Sequence, residues 1–183
     1  MDAKEKGDWR MLHLINPETQ LEQAIISDPE WLAGVMRGEP RPGHPEGKVL
    51  FHIQDVLNNI NRHYGNDEDR ACLRLAALVH DSFKGLARAQ GRPHGRLARE
   101  FAERYIRDPQ LLIVVEWHDE PYKAWKLLQQ GRTAEVERRA GTLIAHLRMA
   151  NCESMFMKFY RCDNLTEGKS TEHYDWFNGL LRP

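Results

Sequence analysis

Residues 67–85 read DEDRACLRLAALVHDSFKG, a polar start that becomes apolar almost all round from Cys72 to Val79 and then stops on His80-Asp81. A helix with that pattern is buried on most of its sides. An aspartate delivered beside an imidazole at the end of such a helix is costly unless it is paired with a cation or hydrogen-bonded. The stretch therefore predicts a central helix that carries chemistry at its C-terminal end.

Upstream, residues 47–64 place Val49, Ile53, Val56, Leu57 and Ile60 on one face at i, i+4, i+7, i+8 and i+11, with His52 at the margin of that face. Residues 18–27 and 29–37 read as short helices, the second with Pro29 in its first turn. Downstream, helical patterns cover 96–107 and 109–118, resume after Pro121, and are closed by Gly131. Thr133 is a plausible cap for a long pattern to Arg161, an extended helix broken at most once, and Ser170 caps a short tail helix. No run alternates as a strand would. The expectation is an all-α fold of about seven to nine helices in a single domain over residues 1–183, with residues 1–16 loosely held.

The chain has 183 residues, 41% hydrophobic and 29% charged, with 26 Lys+Arg against 27 Asp+Glu. A net charge of −1 disfavours a polycation built to coat nucleic acid. The longest apolar runs are five residues, Leu75–Val79 and Leu111–Val115, far short of the ~20 that span a bilayer. The charged start MDAKEKGDWR lacks a secretory h-region, and three cysteines without a C-x-x-C pair suit reduced thiols. A cytoplasmic location without membrane attachment is expected; oligomeric state is left open.

Nine histidines prove little singly, since each is more often a structural or surface residue than a ligand. Their company says more. His118-Asp119 follow the apolar run LLIVVEW, and Asp163 lies one and two turns after Phe159 and Phe156, on the inward side of the last long helix. Imidazoles and carboxylates delivered to one pocket by separate buried helices are what a divalent transition metal needs.

The ordered set His52 (VLFHIQDVL), His80-Asp81 (LAALVHDSFKG) and Asp163 (FYRCDNLTEGK) resembles the H…HD…D signature of the HD superfamily of metal-dependent phosphohydrolases, with separations of 28 and 82 residues. His94 (RPHGRLAREF) and His118 (VVEWHDEPY) resemble the additional histidines of its binuclear type. HPEGKVLFHIQDVL is also similar to the HD domain of some tRNA nucleotidyltransferases, as is the HDxxKG turn formed by His80, Asp81, Lys84 and Gly85. The likeness spans roughly 44–165.

The resemblance implies that His52, His80, Asp81 and Asp163 hold a first metal. It implies that His94 and His118 complete a second site bridged by Asp81. One or two divalent ions are implied, of Mn, Fe, Co, Ni or Zn. The implied reaction is attack of a metal-bound hydroxide on a phosphate ester of a nucleotide or a similar small phosphorylated substrate. Lys84 then either contacts a substrate phosphate, sharing the catalytic work with Asp81, or pairs with a nearby carboxylate. Arg161, Lys169 and Arg41 are candidates for phosphate contact. Trp117, Tyr122 and Trp125 either wall a base-stacking pocket or pack in the core. Glu153 and Asp175 compete less well for the last carboxylate role. Arg92, Arg96, Arg99 and Arg104 read as a solvated face. Phe83 stands beside the site where glycine is frequent in the family. The alternative is a di-iron oxygenase of the same superfamily, which uses the same six ligands.

Overall fold

The computed structural model describes residues 12–40, 47–166 and 170–182. After a 3-10 turn at Leu12–Leu14 come α1 (Gln20–Ile26), α2 (Pro29–Val35), α3 (Val49–Tyr64), α4 (Arg70–Val79), α5 (Lys84–Gln90) and α6 (His94–Ala102). They are followed by α7 (Pro109–Trp117), α8 (Glu120–Gln129), α9 (Thr133–Ala150), α10 (Glu153–Asn164) and α11 (Glu172–Leu181). There is no strand among the described residues, so the all-α expectation holds.

Helix α4 is the axis of the core. Leu73, Ala76, Ala77, Leu78 and Val79 are fully buried, and α1, α3, α6, α7 and α10 all pack on it. Ile53, Val56 and Ile60 of α3 bury the face that their spacing marks out. Even Arg74 is enclosed: Nε donates to Glu22 Oε1 at 2.7 Å and Nη2 to Oε2 at 3.0 Å and to the Asn16 carbonyl at 3.2 Å. That buried fork-to-fork pair joins α4 to α1. Ile15 is also buried, and residues 1–11 lie outside the description.

Helix starts follow their capping chemistry. Asp28 accepts from the backbone N–H of Glu30 and Trp31 ahead of Pro29, and Asp108 does the same for Gln110 and Leu111 ahead of Pro109. Trp31 then donates its indole N–H to the Leu78 carbonyl at 2.7 Å, tying α2 to the end of α4.

The long pattern from 133 to 161 is broken once, as the sequence reading allows, where Asn151 takes the left-handed conformation (φ 50°, ψ 45°) and ends α9. One element differs from that reading. The turn after Asp81 continues into α5, whose weakly apolar sequence KGLARAQ hides it, and Gly91 closes it at φ 64°. Arg132, not Thr133, occupies the cap position of α9. These breaks take the helix number above the seven to nine expected.

Candidate metal centre

Five helices bring their termini or inner faces to one point. His52 projects from α3 beside Ile53 and Val56, His80 and His118 close α4 and α7, His94 opens α6, and Asp163 sits in the last turn of α10. His52, His80, Asp81, His118 and Asp163 are all buried, and the His94 side chain is 14% exposed. The close approach of α6 to α7 depends on Gly95. A Cβ there would stand 2.1 Å from the Glu116 carbonyl oxygen, so only glycine lets His94 come up to His118.

Asp81 lies between two pairs of imidazoles. Its Oδ2 is 3.5 Å from both His52 Nε2 and His80 Nε2, and its Oδ1 is 3.5 Å from His94 Nε2 and 3.3 Å from His118 Nε2. Within each pair the nitrogens face one another, His80 with His52 at 3.3 Å and His94 with His118 at 3.1 Å. Asp163 Oδ1 closes the first group, 2.9 Å from His52 Nε2 and 3.9 Å from His80 Nε2. His52, His80 and Asp81 thus form one cluster that could hold a cation, and Asp81, His94 and His118 form another.

Tautomers can be read from the other side of the rings. The Nδ1–H of His80 donates to the Ala77 carbonyl at 2.9 Å, and that of His118 to the Val115 carbonyl at 2.8 Å. In the neutral rings both Nε2 atoms then carry lone pairs toward the centre. Asp81 Oδ1 is buried and makes no hydrogen bond among the described residues. Converging lone pairs and an orphaned carboxylate oxygen are unfavourable unless a cation sits among them. The donor set, imidazole nitrogen and carboxylate oxygen, fits a divalent transition metal.

The electrostatics agree. Burial works against the Asp81 charge, but the Lys84 ammonium, which contacts Oδ2, and the nearby His80 and His118 hold its carboxyl well below the usual range. Burial pushes His80 down to about 3 despite the pull of Asp81 and Asp163. Burial, with His118 nearby, takes His94 down to about 4. Burial opposes charge on His118 too, yet the Asp81 carboxylate outweighs it and raises that pKa. Positive charge is favoured at the His118–Asp81 contact.

A cavity of about 870 Å³ opens on the centre and includes His52, Asp81, Lys84 and His94 in its wall. Among the described residues six cationic side chains line it, Arg37, Lys84, Arg88, Arg92, Lys123 and Arg139, and Asp81 is the sole carboxylate. Of the two roles open to Lys84, the ion pair with Asp81 is present, and the side chain also faces the cavity.

Other residues singled out in the sequence lie elsewhere. Arg161 is held by the Tyr64 hydroxyl and lines a separate depression with Tyr174 and Asp175. Lys169 and Arg41 fall outside the described residues. Trp117 stacks on His146 with ring centroids 4.7 Å apart, while Tyr122 and Trp125 group around His173, none of them lining the cavity. Glu153 pairs with Arg148. Phe83 turns into the core against Phe101 rather than crowding the centre.

Sequence reasoning missed Arg37, Arg88, Lys123 and Arg139 as cavity residues and read Arg92 as merely solvated. It also missed Asp119, whose Oδ2 is 3.9 Å from His94 Nε2. Asp119 follows His118 directly, which was the available signal; the cations carry none.

The chain matches the family model described as the HD domain over residues 49–147, just over half its length. The match contains His52, His80, Asp81, His94 and His118, and ends before Asp163. No curated protein and no solved structure matches the chain.

Proposed function

Because the chain belongs to the HD domain family, whose members are mostly metal-dependent phosphohydrolases, we propose that it hydrolyses a phosphate ester of a nucleotide or similar small molecule. The observation that carries this reading is the pair of His/Asp clusters sharing Asp81 at the base of a cation-lined cavity. His52, His80, Asp81 and Asp163 would hold one divalent ion, and His94 and His118, again with Asp81, a second. Such ions acidify a bound water toward neutrality and stabilise charge on a phosphoryl oxygen.

The protein's own groups do the rest. The Ala77 and Val115 carbonyls fix the ring orientation and tautomer of His80 and His118, keeping Nε2 available. Lys84 offsets the Asp81 charge and presents an ammonium toward a phosphate entering the cavity. The buried walls of α4 and α7 exclude bulk water behind the centre, which strengthens each of these interactions. The cationic lining suits a phosphorylated substrate. The oxygenase alternative shares the same ligand set, and phosphate release set against oxygen consumption separates the two.

Metal analysis of the purified protein, combined with phosphate-release assays on nucleotides and phosphomonoesters, tests the proposal. Bound divalent metal with metal-dependent phosphate release is expected. Oxygen consumption by an iron-loaded protein that releases no phosphate would overturn it.

A further inference from the structure

The six cations in the cavity wall are not equivalent. Lys84 is neutralised by Asp81, Arg92 by Glu100, and Lys123 by Asp119 and Glu120, while Arg139 forks onto Glu120. Arg37 and Arg88 have no acidic partner among the described residues. Both are solvent-exposed, Arg37 just after α2 and Arg88 in the last turn of α5. They line the same cavity as Asp81 and His94.

Arg37 has a place made for it. A Cβ on Gly85 would stand 2.6 Å from Arg37 Cδ and 3.3 Å from Nη1, so the guanidinium lies across the bare backbone of Gly85, next to Lys84. A monophosphate bound at the metal centre would be met by the ions and Lys84. Two guanidiniums without an acidic partner among the described residues would then remain in the same cavity, each shaped to take two phosphate oxygens.

Building on the phosphohydrolase reading, we propose that the cavity takes a substrate bearing two or more linked phosphates, with Arg37 and Arg88 gripping the phosphate beyond the one presented to the His/Asp centre. The volume of about 870 Å³ suits such a ligand with an organic group attached. Arg37 and Arg88 thereby set specificity for chain length of the phosphate, and Gly85 is a positioning residue for Arg37.

Calorimetric titration of the full-length protein with methylenediphosphonate and with methylphosphonate, at fixed metal content and ionic strength, tests this without turnover. The diphosphonate is expected to bind at least about tenfold more tightly. In the double variant Arg37→Gln/Arg88→Gln its affinity falls about tenfold or more, while that of methylphosphonate stays within about threefold. Metal chelation by the diphosphonate does not depend on the arginines, so the difference between the proteins isolates them. Gly85→Ala displaces only a flexible side chain, and is expected to weaken the diphosphonate selectively with its thermal unfolding unchanged.

Unchanged diphosphonate affinity in Arg37→Gln/Arg88→Gln, or equal weakening of both probes, overturns the inference. A parallel phosphate-release assay on nucleoside mono-, di- and triphosphates separates the two claims. Release from none of them removes the hydrolase reading, whereas hydrolysis that prefers the monophosphate removes only the present inference.

Discussion

Asp81 holds its two carboxylate oxygens between four imidazole nitrogens at 3.3–3.5 Å, so its removal takes a ligand from both clusters at once. Asp81→Ala is expected to reduce metal content, by elemental analysis, to background. Phosphate release should fall by more than about a hundredfold, beyond the loss that removal of an outer-shell partner causes. Helicity by circular dichroism should persist, because the core around α4 does not depend on this carboxylate; wild-type turnover would remove Asp81 from the centre. Asp28 shows a different residue-level effect. Burial raises its pKa, but the Tyr105 hydroxyl at 2.6 Å, the N–H groups of α2 and Arg104 lower it overall. A carboxyl depressed in the folded state stabilises the protein above its unfolded pKa and loses that contribution as pH falls. Asp28→Asn should therefore cost about 0.5–1 kcal/mol at pH 7. The gap to wild type in urea unfolding should narrow as pH drops below the ordinary value of 3.8. A gap that widens in acid would contradict the assignment.

Between elements, the contact that matters most for the site is α6 against α7. Gly95 Cα rests so near the Glu116 carbonyl that a methyl group forces the helices apart. Overpacking of this kind costs about 1–3 kcal/mol. Gly95→Ala should lower the urea midpoint accordingly and, by withdrawing His94 from His118, reduce metal bound per chain in a titration while the cluster of His52, His80, Asp81 and Asp163 still loads. Full stoichiometry in that variant would mean that the helix spacing does not govern the second cluster. The same geometry accounts for a gap in the sequence reading. RPHG looks like an exposed loop with an ordinary histidine, since nothing local shows that the glycine after His94 faces a carbonyl 21 residues further on.

Across the whole molecule, stability and site both depend on α4 and the helices packed around it. The Arg74–Glu22 pair lies inside that packing, each side chain only 2% exposed. Glu18 Oε1 also lies 3.1 Å from Arg74 Nη1, so removing Glu22 leaves a buried charge that is only partly compensated. Glu22→Ala should therefore cost about 3 kcal/mol in urea unfolding, the low end for a broken buried pair. A joint change to Glu22→Leu/Arg74→Met should cost much less, and equal losses would show that packing rather than charge dominates. Among the described residues no helix is long and apolar enough to cross a membrane, in keeping with the short apolar runs. Sequence by itself determined the helical class and the central place of α4, because apolar periodicity is a local pattern. The set His52, His80, Asp81, His94, His118 and Asp163 came from its resemblance to the HD signature. Sequence did not show α5, the position of the break at Asn151, the role of Gly95 or the cations of the cavity. Only the tertiary structure decided those: which exposed arginines face one cavity, and which are neutralised there, follows from helices far apart in the chain coming together, and no local pattern of charge carries that information.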